Sequence, residues 1–203
     1  MKAKPKLSAS MTVTQFDYGY WYAVELKTFA ARIGIPSAGK LRKDELEKAV
    51  KVFLKTGKIK STTKRSLTTP GLRDVERGLR VDLPVAVYTN DKETKAFLER
   101  EAQRLAPDSR RKSGARYRLN RWREEQLVKG CQITYRDLIE EYVRLNQVEG
   151  SFPQVPHVRY INFVSDFLAA EKGATRRQAA GAWQKLKLLD GPKTYRSWLR
   201  LAR

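Results

Sequence analysis

Lys40, Arg42 and Lys43 put three cations within four positions, directly after Gly39 and at the start of a run with helical apolar spacing. A helix start offers unpaired backbone N–H groups, and cations beside them make a seat for phosphate. Lys27 and Arg32, on the helical run before it, would flank the same strand. A second basic feature spans Ser109 to Arg123, with seven basic groups, no acidic one, and Tyr117 and Trp122 interleaved. Arginine bridges phosphates or stacks on bases, and aromatic rings add stacking to single strands. Arg110, Arg111, Arg116 and Arg118 are its candidate phosphate ligands, whereas Trp122 and Leu119 read as core. The third feature is Thr175-Arg176-Arg177-Gln178. Arg176 and Arg177 at a capped helix start suit phosphate, which fixes position without reading bases. Base-edge readout by these arginines with Gln178 is the second option there. Ala179, Ala180, Gly181 and Ala182 equally suit close helix packing, and Trp183 reads as core.

Catalytic constellations are sparse. A nuclease needs clustered carboxylates to hold magnesium. Asp137, Glu140 and Glu141 share a helix, but Arg136 and Arg144 at neighbouring turns suit surface ion pairs. His157-Val158-Arg159-Tyr160 has the residue types of a tyrosine recombinase without its spacing. A phosphate-loop lysine motif and a serine elbow are both missing. The lone cysteine, Cys131, sits beside Ile133 and reads as buried rather than nucleophilic. His157, the one histidine, reads as a loop or packing residue. We expect no enzyme and no cofactor, with a nuclease as the alternative.

Charge supports the polyanion theme. Of 203 residues, 42 are lysine or arginine and 22 are aspartate or glutamate, a formal net charge of +20. Self-repulsion on that scale favours an anionic partner. Residues 1–65 carry net +10, residues 66–150 net +3 and residues 151–203 net +7. The plain alternative, a uniformly solvated surface, would not segregate charge in this way. With 41% apolar residues the chain can build modest cores. One cysteine excludes an intramolecular disulfide framework and a multi-cysteine zinc site. No apolar run approaches a membrane span, and the lysine-rich start does not resemble a secretory signal, so a cytoplasmic setting is expected.

These groups must be carried by helices. Residues 1–14 read as a flexible basic tail. From Phe16 the apolar positions Trp21, Tyr22, Leu26, Phe29, Ala30 and Ile33 recur at helical steps, and Gly34 stops the run. Residues 35–39 read as extended because of Pro36. A second helix follows from about Arg42 to Leu54. Residues 61–79, rich in lysine, serine and threonine, read as a linker. Residues 81–88 suggest a short edge strand containing Pro84. Helices are then expected over about 92–105, around 119–127 and over 135–145, with others near 160–172, 175–188 and 193–201. There is also an internal echo. Gly130, Thr134 and Tyr142 correspond to Gly173, Thr175 and Trp183, with both threonine–threonine and aromatic–aromatic separations equal to 41. It marks either a duplicated helix–turn–helix-like unit or two similar helix starts.

Residues 16–60 resemble the SAP family and its helix–extension–helix relatives, on Leu26-Lys27, Ala30, Gly34-Ile35, Gly39-Lys40, Lys43 and Leu46. The stretch from Gly34 to Leu46 is also similar to the N-terminal module of the transcription terminator Rho. The aromatic entry Tyr20-Trp21-Tyr22 and the exit Phe53 to Lys58 are similar to bacterial SAP-containing proteins of unassigned function. The spacing from Gly39 to Leu46 is about two residues longer than the common SAP pattern. The resemblance implies a small nucleic-acid-binding module, and a nucleoid association if the source is bacterial.

The expectation is therefore a mainly α protein with a tail (1–14), a SAP-like module (15–60), a linker (61–79), a helical domain (80–150) and a basic C-terminal helical unit (151–203). It would bind DNA through the phosphate backbone, largely without sequence specificity. RNA binding, favoured by the arginine–aromatic stretch, is one alternative. A protein-interaction adaptor docking through the middle region is another. No membrane role is expected.

Overall fold

The computed structural model describes residues 6–60, 63 and 70–201. Residues 1–5 of the expected tail and 61–62 and 64–69 of the expected linker lie outside the described residues. The fold is mainly α, with nine helices and no strand among the described residues. The chain divides into two units. One, the outer unit, joins Met1–Thr63 to Gln154–Arg203; the other, the middle unit, is Lys64–Pro153. The segment 15–60 and all but the first three residues of 151–203, expected as separate modules, thus belong to one unit.

In the outer unit, α1 (Val13–Tyr18) opens on a capping box. Thr12 Oγ1 accepts from the Gln15 N–H at 3.1 Å, and Gln15 Oε1 accepts from the Thr12 N–H at 2.8 Å. The tail therefore ends before residue 12, three residues earlier than expected. The continuous helical run expected from Phe16 is broken at Gly19. Trp21 folds back there, donating from Nε1 to the Phe16 carbonyl at 2.8 Å, and a Cβ on Gly19 would lie 2.1 Å from the indole. α2 (Ala23–Arg32) and α3 (Lys43–Thr56) then bury Leu26, Phe29 and Ala30 with Leu46, Ala49 and Val50. Gly34, at φ +89°, ends α2 in a Schellman motif, with Ile35 N–H donating to the Ala30 carbonyl.

The segment 35–39 is coiled rather than extended. Ser37 takes a left-handed φ of 54°, and Ala38–Lys40 forms a 3₁₀ turn. Ile35, Ala38 and Leu41 are all buried, and three apolar groups at three-residue steps reach one side only if the chain turns. α7 (Arg159–Ala170), α8 (Arg176–Leu186) and α9 (Tyr195–Leu201) complete the unit. Phe163, Phe167, Ala179, Ala182, Trp183 and Leu186 are their shared core, with Tyr20, Tyr195 and Trp198 packed on it.

In the middle unit, α4 (Lys92–Leu105) and α5 (Ala115–Val128) both pack on α6 (Tyr135–Gln147). The expected edge strand reduces to a single bridge, Pro84 with Thr134. The segment still docks on the start of α6, through Val85 N–H to the Ile133 carbonyl at 2.9 Å and Tyr135 N–H to the Leu83 carbonyl at 3.0 Å. The described end of the expected linker belongs to this core. Asp74 is fully buried, and its carboxylate accepts from the N–H groups of Ala86 (3.2 Å) and Val87 (2.9 Å) and from the Tyr135 hydroxyl (3.3 Å).

The echo is structural as well as sequential. Gly130 and Gly173 both have φ +79°, and Thr134 and Thr175 are both N-caps, boxed with Asp137 and Gln178. Tyr142 and Trp183 are both buried. The two copies lie in different units.

Candidate nucleic-acid interface

The outer unit holds 23 basic and 8 acidic residues, net +15, whereas the middle unit holds 19 and 14, net +5. Neutralisation follows the same division. In the middle unit Glu99 pairs with Arg116 and lies 3.7 Å from Arg111. Glu124 pairs with Arg123 at 3.3 Å and Arg121 at 3.8 Å. Arg118 donates to the Pro153 carbonyl at 2.7 Å, with its guanidinium 4.1 Å from the Phe152 ring centroid. Lys112 donates to the carbonyls of Val148 and Gly150. Of the seven basic groups in 109–123, only Arg110 has no side-chain partner among the described residues. The stretch is largely architectural: Arg116 and Arg118 are half-buried fixtures, while Arg110 and Arg111 remain exposed.

The start of α3 is also differently arranged from the phosphate seat expected of it. The Glu45 carboxylate accepts from the Arg42 N–H at 2.8 Å, so an internal anion already occupies that helix end. Arg42 is half-buried at the N-cap. Lys43 turns inward, 4.5 Å from the Tyr20 ring centroid and 4.0 Å from Glu47, and burial holds its ammonium below the usual lysine range. Arg32 donates to the Leu7 carbonyl at 3.1 Å and Lys27 is half-buried. Gly39 and Lys40 are exposed on the 3₁₀ turn, where an added Cβ on Gly39 would meet nothing.

Arg176 and Arg177 are placed differently again. They occupy the first two positions of α8, exposed and unpaired among the described residues. Gln178 is spent on capping, its Oε1 accepting from the Thr175 N–H at 2.7 Å, so it is not presented to a base edge. Lys48, Lys55, Lys172 and Lys185 are likewise exposed and unpaired among the described residues. No family model, curated protein or solved structure matches this chain.

The residue that joins the outer unit's two chain segments was not singled out from sequence as a binding group. Arg159, the first residue of α7, donates to the carbonyls of Asp17 (3.2 Å) and Gly19 (2.8 Å). Its guanidinium also lies 3.7 Å from Glu47 and 3.8 Å from Asp17, and Lys51 meets Asp17 at 2.5 Å. Burial pushes the Glu47 carboxyl up despite Arg159 and Lys43, so desolvation outweighs attraction in this cluster. Two of the three α6 carboxylates are structural too: Asp137 caps α6, and Glu141 makes a two-point pair with Arg144 at 2.7 Å, while Glu140 is exposed. Among the described residues no group of three or more His, Cys, Asp or Glu gathers as metal ligands would, and no helix is long and apolar enough to cross a membrane. Cys131, expected to be buried, is exposed in the loop before α6.

Lys193 adds a pH dependence. It is buried, donates to the carbonyls of Leu189 and Gly191, and is lowered to about 8 by desolvation, with Arg159 adding to the fall and Asp190 opposing it. The folded chain therefore holds this proton less tightly than the unfolded chain. Below pH 8 both states are charged and the folded state carries the full burial cost. As pH rises from 8 towards 10.5 that cost is relieved, so stability increases. Lys43 contributes with the same sign. Chemical denaturation across about pH 7 to 9.5 should show rising stability in the native chain and a flatter profile in Lys193→Met. An unchanged profile in the variant would contradict this assignment.

Proposed function

We propose that this chain binds DNA through the phosphate backbone, largely without reading sequence, and that the outer unit supplies the cations. The observation that carries this reading is the net +15 of that unit, with Arg176 and Arg177 exposed and unpaired at the capped start of α8. Cations beside free helix N–H groups suit phosphate oxygens, and such contacts are indifferent to base identity. The resemblance of residues 16–60 to SAP modules points to the same ligand, and of Lys40, Arg42 and Lys43 it is Lys40 that is exposed. The arginine-rich stretch of the middle unit contributes less, because its own acids and carbonyls already hold it.

Arg176→Glu/Arg177→Glu should weaken binding to a random-sequence duplex by at least about tenfold at low salt. Acidic residues in a first helical turn favour the helix, so α8 is expected to stay folded. Circular dichroism checks that, and unchanged affinity in a folded variant would remove α8 from the interface. Competition among duplex DNA, single strands and structured RNA separates DNA from RNA as the preferred ligand.

A further inference from the structure

Four aromatic rings from three segments of the outer unit form a continuous row. Tyr22 lies edge-on to Tyr20 at 5.3 Å between centroids, Tyr20 edge-on to Trp183 at 4.9 Å, and Trp183 is 5.6 Å from Tyr160. The inner members are core: Trp183 is buried and Tyr20 half-buried. The two ends are not, with Tyr22 45% exposed and Tyr160 40% exposed. Core packing therefore accounts for the middle of the row and leaves its ends unexplained. Helix formation does not explain Tyr22 either. It is the N-cap of α2, where serine, threonine, aspartate and asparagine are favoured, and the 2.7 Å bond that its backbone N–H donates to Glu25 needs no aromatic ring. Cations line the same row. Lys187 donates to the Tyr22 hydroxyl at 3.0 Å and sits 5.6 Å from its ring centroid, and Lys43 sits 4.5 Å from that of Tyr20.

We propose that Tyr22 and Tyr160, at the ends of this row, stack on unpaired bases, making the outer unit a site for single-stranded nucleic acid or for unpaired nucleotides beside a duplex. The proposal rests on the nucleic-acid reading above and specifies its ligand. Aromatic faces take bases of any identity, provided the bases are not already stacked in a duplex. Lys187, beside the Tyr22 ring, meets the phosphate that such a base brings with it. A protein partner rich in basic groups would be repelled by the net +15 of this unit, and an acidic one would use the lysines but not the rings.

The test is fluorescence anisotropy with a labelled oligothymidylate of about twelve nucleotides and with a random duplex of matched length, using the full chain. Tyr22→Ala/Tyr160→Ala should lose about tenfold or more in affinity for the single strand and change duplex affinity less than about twofold. Tyr22→Trp/Tyr160→Trp should restore single-strand binding, which separates stacking from loss of fold. Equal single-strand affinity in the alanine variant and the native chain would overturn the proposal. If the native chain binds the duplex but not the oligothymidylate, stacking alone fails. If it binds neither, the nucleic-acid reading fails with it.

Discussion

Asp74→Ala is expected to cost the middle unit about 3–5 kcal/mol, the range for removing one partner from a buried charged network. The carboxylate is fully buried and holds the Ala86 and Val87 N–H groups and the Tyr135 hydroxyl. Its truncation strands the buried Tyr135 hydroxyl and leaves the part-buried Ala86 and Val87 N–H groups without their acceptor, and a stranded buried donor costs about 1–3 kcal/mol. The Tyr135 phenol is pushed well above its ordinary value, first by burial and then by the Asp74 charge, so it stays a donor at any physiological pH. Asp74→Asn is expected to be nearly as damaging, since its amide would point N–H groups at N–H groups. Tyr135→Phe removes one hydrogen bond and should cost only about 1 kcal/mol. Urea titration of the full chain, followed by circular dichroism, reads these differences. A loss below about 1 kcal/mol for Asp74→Ala would contradict the role assigned to it.

Arg159→Ala is expected to destabilise the outer unit by about 2–4 kcal/mol, somewhat less than a fully buried pair because its side chain is 14% exposed. The guanidinium caps two carbonyls and faces two carboxylates, linking the start of α7 to the α1–α2 turn and to α3. Its removal leaves Glu47, already strained by desolvation, with only the weaker attraction of Lys43 and Lys51. Arg159→Lys keeps the charge but not the fork that reaches all four acceptors, so it should recover only part of the loss. Thermal unfolding of the three proteins at one pH gives the ordering. Equal stability of Arg159→Ala and the native chain would show that the two segments of the outer unit hold together without this link.

Much of the helical layout was legible because period and caps agreed. α4 over Lys92–Leu105 follows from Asp91 at its start and Pro107 beyond its end, and α3 from its apolar face and Gly57. The threonine caps of α6 and α8 were readable as a pair. The Gly19 break was not, because apolar spacing continues through it and only the steric demand of the Trp21 ring interrupts the helix. Asp74 was invisible for a different reason. A segment rich in turn formers reads as a linker, and the tyrosine it binds is 61 positions away.

The candidate site was legible in total charge but not in its partition. Glu99, which neutralises Arg116, lies 17 positions from it, and Arg159 reaches partners 140 and 142 positions away. Such pairings cannot be read from local composition. They explain why the basic stretch at 109–123 proves largely committed, while the two arginines of α8 stay available.

The most direct test of the account is the dependence of random-duplex affinity on salt. For the native chain, log affinity should fall linearly with log salt as counterions are released, and Arg176→Glu/Arg177→Glu should give a slope shallower by about two. Arg110→Glu/Arg111→Glu, in the middle unit, should leave the slope nearly unchanged. A flat line for the native chain, or a slope that responds only to the middle-unit pair, would contradict DNA binding by the outer unit.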